Sequence, residues 1–436
     1  MRRRAAMPAT RIHPRSEPAI VKLLSTNTCR VPRDLAGVTS YDPAAEADPQ
    51  AAGLDEARKQ RIWRAVEGLY ATGISPAITF CLRRHGQVVL NRAIGHRIGN
   101  GPGDTPDTPK QLATPDTPMC LFSASKVVTA MLVHKLAETH QLDLLAPVSH
   151  YLPAFAANGK KHVTIAHILA HRAGIPTIEG DFDVELLFDT PKVVDILFNA
   201  RPASRSGHRA AYHAVTGGYI LGELIRAATG EDAREYLRKT VQEPLGMTYF
   251  NYGLKPEHRG REAIGYATGL KPVLAVDWFL KNALGGDLDT VVDVTNDPRF
   301  MDIICPAGNI FATAEEAGRF FELLLRGGEL DGVRVFDPLT IRRATLEAGK
   351  PQFDGTLLAP LRYSHGMMLG GNPVGLYGPM TGRAFGHLGF SNIFCWADPE
   401  RDISVSLLTS GKPVLGTHLA ALGKLLATLS FQLPRQ

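Results

Sequence analysis

Between positions 54 and 70, Ile62, Trp63, Val66, Leu69 and Tyr70 recur at three- and four-residue intervals. That is the period of an amphipathic helix. The pattern then changes. Short apolar runs at 78–82 and 88–93 flank Arg84-His85-Gly86, which predicts a β-hairpin. Residues 99–118 are rich in Gly, Pro, Asp and Thr and predict a long surface loop. An apolar stretch from Leu121 to Val133 predicts a helix reaching about residue 138. Further helices are predicted over 164–169, 191–199, 212–228, 233–241, 313–326 and 336–346. The helix at 313–326 has the clearest ends: Thr313 and Glu316 have capping-box spacing, and Gly327-Gly328 stops it. Beyond residue 384 strand patterns return at 394–397 and 403–408, around the turn 398–402. An amphipathic helix over 419–429 closes the chain.

This order predicts an α+β fold. Residues 1–50 lack periodicity and are expected to form an irregular arm. Residues 51–436 form one domain, with a sheet lobe from 51–118 and 384–436 and a mostly helical lobe over about 119–383. Strands from the two chain ends are expected to pair into one antiparallel sheet, with a cleft between the lobes as the place for a site. The stretch 251–305 is the least patterned. Trp278, Phe279, Leu280 and the Asp/Val run after Leu288 are expected there as a substrate wall or lid.

Composition narrows the function classes. The chain has 436 residues, 44% hydrophobic and 21% charged, with a net charge of +5. That is ordinary globular composition with no basic footprint for nucleic acid. Five cysteines are scattered without a Cys-x-x-Cys pair, which argues against a zinc site or a disulfide framework. No apolar run is long enough for a transmembrane span, and the basic N-terminus is not followed by the apolar core of a secretory signal. The expectation is a cytoplasmic enzyme without cofactor or metal, acting on a small molecule.

The chemistry centres on Ser123 and Lys126. Three residues apart at the head of a helix, they share a face, so the serine hydroxyl and the lysine amine can meet. Burial of the amine among Val127, Val128, Met131 and Leu132 would lower its pKa and make it a partner for the serine proton. The helix N-terminus adds backbone N–H groups that can hold developing negative charge. Ser125 has no lysine three residues on and is a weaker nucleophile candidate.

Two more signals follow in order: Tyr212-His213-Ala214 before a helical pattern, and His387-Leu388-Gly389 at a strand. With Ser123-Ala124-Ser125-Lys126 they resemble the serine β-lactamase and penicillin-binding-protein superfamily, in particular its class C-like carboxylesterase and lipase branch. The likeness runs from about residue 55 to 430. It includes 141–153, 168–176, the Pro-Leu-Gly-Met turn at 244–247, and 307–314. The resemblance implies a β-lactamase/transpeptidase-like fold and an acyl-enzyme on Ser123. It assigns Lys126 and Tyr212 as activating partners, with the Tyr212 pKa lowered by a neighbouring ammonium. The backbone N–H groups of Ser123 and Phe390 would form the oxyanion hole. His387, Gly389, His213 and Ala214 would contact substrate.

The chain departs from the lactamase pattern at two points. Ala214 stands where an Asn would help bind a β-lactam amide, and His387 stands where a lysine would hold a substrate carboxylate. An ester needs neither, so the expected activity is carboxylic ester hydrolysis. A β-lactamase, a D,D-peptidase or an acyltransferase to a small alcohol remain alternatives, as does a catalytically weak relative that binds a ligand or partner. Other patterns fit less well. Tyr249-Phe250-Asn251 follows a structural turn, and His258-Arg259-Gly260 lies in a polar loop. His167 and His171 have zinc spacing but lack the glutamate of a zincin.

Overall fold

In the segment Ala77–Arg84 every residue is buried, and successive side chains enter different cores. Ile78, Phe80 and Leu82 pack on one side, Ala77 and Cys81 on the other. A strand buried on both faces needs cover on both, and helices supply it. The structure, a computed structural model, describes residues 26–177, 184–270 and 286–436. Trp278, Phe279 and Leu280 lie outside the described residues.

The main antiparallel sheet runs, in spatial order, β4 (Met368–Leu369), β5 (Phe385–Gly389), β6 (Ile393–Asp398), β7 (Ile403–Thr409), β2 (Ala77–Arg84), β3 (Gln87–Ile98) and β1 (Thr39–Tyr41). Strands from both chain ends meet where β7 pairs with β2, with Val405 opposite Leu82 and Ser406 opposite Cys81. On one face, α1 (Glu56–Tyr70) packs against α7 (His418–Gln432). Asp55 caps α1 by accepting from Arg58 N. On the other face lie α2 (Ser125–Glu138) and α6 (Ala314–Leu325). Helix α2 is buried almost all round, as a helix at the centre of a large domain must be. Around it the second lobe adds α3 (Thr190–Asn199), α4 (Thr216–Thr229) and α5 (Leu288–Asn296). The fold is thus α+β and β-lactamase/transpeptidase-like: an antiparallel sheet flanked by helices, with a mostly helical second lobe.

The capping box read at Thr313 and Glu316 is present. Glu316 reaches further, accepting from Thr248 N and Tyr249 N, so one carboxylate caps α6 and fixes a distant turn. Local pattern falls short in three places. Within the stretch expected as an irregular arm, Thr39–Tyr41 forms an edge strand. Its approach is anchored by buried Glu46, held by Arg92 (2.6 Å) and Lys59 (2.9 Å), residues remote in sequence. The middle segment is not wholly a second lobe, since β4 joins the main sheet and α6 packs on it. The helix expected from 212 begins only at Thr216. Tyr212 N and His213 N are instead bonded to Asp354 and His171, which hold this segment outside the helix.

Candidate active site

Ser123, the candidate nucleophile, sits in a strained turn. Phe122–Ala124 forms a 3-10 turn ahead of α2, and Phe122 has φ 46°, the left-handed region that a bulky side chain rarely adopts. Surrounding contacts hold it there. Leu121 N donates to Ile310 O at 2.7 Å. The Phe122 ring lies 5.7 Å from that of Phe390, and Lys412 Nζ lies 4.6 Å from the Phe122 ring centre. The buried hydroxyl of Ser125 accepts from Ile310 N at 3.1 Å. Ser125 therefore pins the turn, while Ser123 is left partly exposed.

Lys126 Nζ donates to Ser123 Oγ at 3.0 Å and to Ala307 O at 2.9 Å. Burial lowers its pKa from 10.5 to about 7. Near neutrality a substantial fraction of this amine therefore carries a free lone pair beside the serine. Ala307 can come this close because Gly218 of α4 faces it; a Cβ there would lie 2.5 Å from Ala307 N.

Tyr212 lies across the site, its ring centre 5.0 Å from Lys126 Nζ. Its hydroxyl is close enough to Ser123 to interact with it, yet burial raises its pKa well above the ordinary phenol range, and nearby Asp354 adds to the rise. This is the reverse of the expected lowering: desolvation of the phenolate dominates, and a lysine only partly charged near neutrality does not offset it. Asp354 fixes the segment by accepting from Tyr212 N (3.1 Å) and from the hydroxyl of Tyr363 (3.0 Å).

The histidines here are uncharged near neutrality. Burial takes His387 down to about 3 and His213 to about 4, and lowers His171 strongly. His387 Nδ1 is 2.6 Å from Leu388 O, so it carries the proton. His387 Nε2 is buried without a partner among the described residues. His171 Nδ1 accepts from His213 N, and His167 serves the cap at Thr164, so both do structural work at their i, i+4 spacing.

Strand β5 presses on the nucleophile turn. A Cβ on Gly389 would meet Leu121 O at 2.4 Å, which explains the glycine. Beyond that contact opens a cavity of about 460 Å³, lined by Ser123, Tyr212, Ala214, His387, Gly389 and Phe390 among others. Its walls are mainly apolar and include Val291 and Val294 of α5, from the Asp/Val run expected to form a wall. Among the described residues, no Lys, Arg, Asp or Glu lines it. His213 does not reach this cavity. It is fully buried and lines a separate small void with Lys126 and His171.

Sequence reasoning missed Asp354, the Ala307 carbonyl and Lys412. Lys412 is buried, donates to Thr409 O at 2.6 Å and has its pKa lowered by burial to about 7. No local pattern marks these groups, because each matters only through a contact remote in sequence.

A serine in the turn that opens a buried helix and a lysine in that helix's first turn, faced by a tyrosine and pressed by a strand, define a serine hydrolase with a β-lactamase-like fold. The profile of the Beta-lactamase family matches residues 62–428, and the chain belongs to that family. It is 31% identical over 311 residues to the Esterase/beta-lactamase LipL of Mycobacterium tuberculosis, covering 67% of this chain and 69% of that one. Among solved structures, a penicillin-binding protein homolog from Caulobacter crescentus is 25% identical, with a TM-score of 0.75 over 87% of this chain and 99% of that one. A family VIII carboxylesterase is 24% identical, with a TM-score of 0.73 over 86% of this chain and 98% of that one. No helix among the described residues is long and apolar enough to cross a membrane.

Proposed function

We propose that this protein hydrolyses uncharged carboxylic esters through an acyl-enzyme on Ser123. The carrying observation is the cavity beside the Ser123–Lys126 pair, whose described lining is mainly apolar and holds no Lys, Arg, Asp or Glu. Neutral Lys126 takes the Ser123 proton as Oγ bonds to the ester carbonyl carbon and the carbonyl electron pair moves onto oxygen. The backbone N–H groups of Ser123 and Phe390 hold that oxyanion. Collapse breaks the ester C–O bond, and the proton passes from Lys126 through the neutral Tyr212 hydroxyl to the departing alkoxide. Water then attacks the acyl carbon, returns its proton by the same path, and Ser123 leaves with its hydroxyl restored. With Tyr212 raised and Lys126 lowered, Lys126 is the base and Tyr212 the relay.

A β-lactam or peptide carboxylate would find no counter-ion among the described residues, because His387 is neutral and no described Lys or Arg lines the cavity. Similarity to the Esterase/beta-lactamase LipL supports ester hydrolysis as one activity of this site, and the cavity's apolar lining favours it over lactam hydrolysis. The test compares p-nitrophenyl butyrate with a chromogenic cephalosporin, using wild type and Ser123→Ala. Rapid ester cleavage, cephalosporin turnover at least about a hundredfold slower in kcat/KM, and loss of both in Ser123→Ala are expected. If neither compound is cleaved and a phosphonate ester forms no adduct on Ser123, the proposal fails.

A further inference from the structure

The cavity beside Ser123 extends well beyond the reacting groups. One wall carries Val414, Leu419 and Leu422, from the approach to α7 and its first turns. Leu388 and Phe394 of the sheet continue that wall. Leu388, Phe394 and Leu422 belong to the apolar core under α1 and α7, so this wall is backed by rigid packing. Val414 shares a small cluster with Phe390 and Val292, which joins the wall to the residue assigned to the oxyanion hole. The volume of about 460 Å³ falls in the usual small-molecule range of about 300–1,000 Å³ and far exceeds what an acetyl group needs. A neutral aliphatic chain is the group that gains from such a surface, whereas a charged or strongly polar one would be desolvated there without a partner.

We propose that the substrate ester carries an aliphatic chain and that Val414, Leu419 and Leu422, at the C-terminal helix, form the surface on which this chain lies. The chain belongs to the acyl part or to the alcohol, and the same wall serves either. The inference rests on the ester-hydrolase reading and deepens it.

Two substrate series test it. One holds the p-nitrophenol leaving group and lengthens the acyl part from acetate to octanoate. The other holds acetate and lengthens the alcohol. In one series kcat/KM is expected to climb up to about fourfold per added methylene, the worth of burying one CH2, until the chamber fills. The climbing series identifies which part of the ester occupies the wall. Leu419 is 50% exposed, so Leu419→Asp puts a charge on the wall at little cost to folding, and it should flatten that climb. Leu145→Asp, at a residue 77% exposed and absent from the cavity lining, should leave the climb intact. The wall is overturned if wild type cleaves p-nitrophenyl acetate through Ser123 but both series are flat. It is also overturned if Leu419→Asp retains the wild-type slope. If wild type cleaves no ester and Ser123 is not labelled by a phosphonate, the ester-hydrolase reading fails and the wall with it.

Discussion

Lys126 offers the sharpest test, because its chemistry and its cost to folding share one cause. The amine is fully desolvated, and its pKa falls from 10.5 to about 7. At 1.36 kcal/mol per pH unit, that shift is worth about 5 kcal/mol. The unfolded lysine binds its proton more tightly than the folded one, so the proton favours unfolding. This penalty is fully present below pH 7 and fades as pH rises from 7 toward 10.5. Lys126→Met keeps the chain length and removes the penalty, but it strips Ala307 O and Ser123 Oγ of a donor. A buried acceptor left unpaired costs about 1–3 kcal/mol. The net expectation is a gain of about 2–4 kcal/mol near pH 6–7, shrinking to zero or reversing by pH 9–10. Urea unfolding of both proteins at pH 6, 7.5 and 9 measures it. Ester hydrolysis should fall by at least about a thousandfold in the same variant, since a unit of interdependent groups loses its base. A variant less stable than wild type at pH 6, with an unchanged difference at pH 9, would refute the reasoning. Lys126 would then be an ordinary charged residue rather than a desolvated base.

Wild-type kcat/KM should rise with pH through about 7 to a plateau, because only the neutral amine accepts the serine proton. A flat profile between pH 5.5 and 8 would remove Lys126 from that role. Tyr212→Phe should slow turnover by about 10²–10⁴-fold, the usual worth of a positioned proton donor, while leaving the rising limb in place. A displaced limb would mean that the tyrosine itself titrates there. Gly389→Ala places a methyl 2.4 Å from Leu121 O and should lower kcat by about 10²–10³-fold with the fold intact by circular dichroism, as β5 is forced away from the oxyanion-binding turn. Asp354→Ala removes the acceptor for Tyr212 N, Thr356 N, Leu357 N and the Tyr363 hydroxyl. It should cost at least about 3 kcal/mol in urea unfolding, since each buried donor left unpaired costs about 1–3 kcal/mol.

The sequence by itself determined the features that depend on near neighbours. A three-residue spacing across a 3-10 turn and the helix it opens brings Lys126 within 3.0 Å of Ser123, so their proximity was legible locally even though remote contacts hold the turn. The cap at Thr313, the hairpin of β2 and β3, and the last strands and helix are equally local, since each follows from period and turn residues. Ordered motifs also placed Tyr212, His387, Gly389 and Phe390 in one site, and all four line one cavity with Ser123. Only the tertiary structure decided what those groups are electrically. Burial is a property of the whole fold, and it lowers the Lys126 pKa toward neutrality, keeps Tyr212 a phenol and keeps His387 neutral. It also decided that His213 turns away, that Asp354 delays the start of α4, and that Lys412 comes beneath Phe122. Each of those outcomes is a contact between residues remote in sequence. A local pattern carries no record of such contacts, because they exist only once sheet, helices and loops have packed.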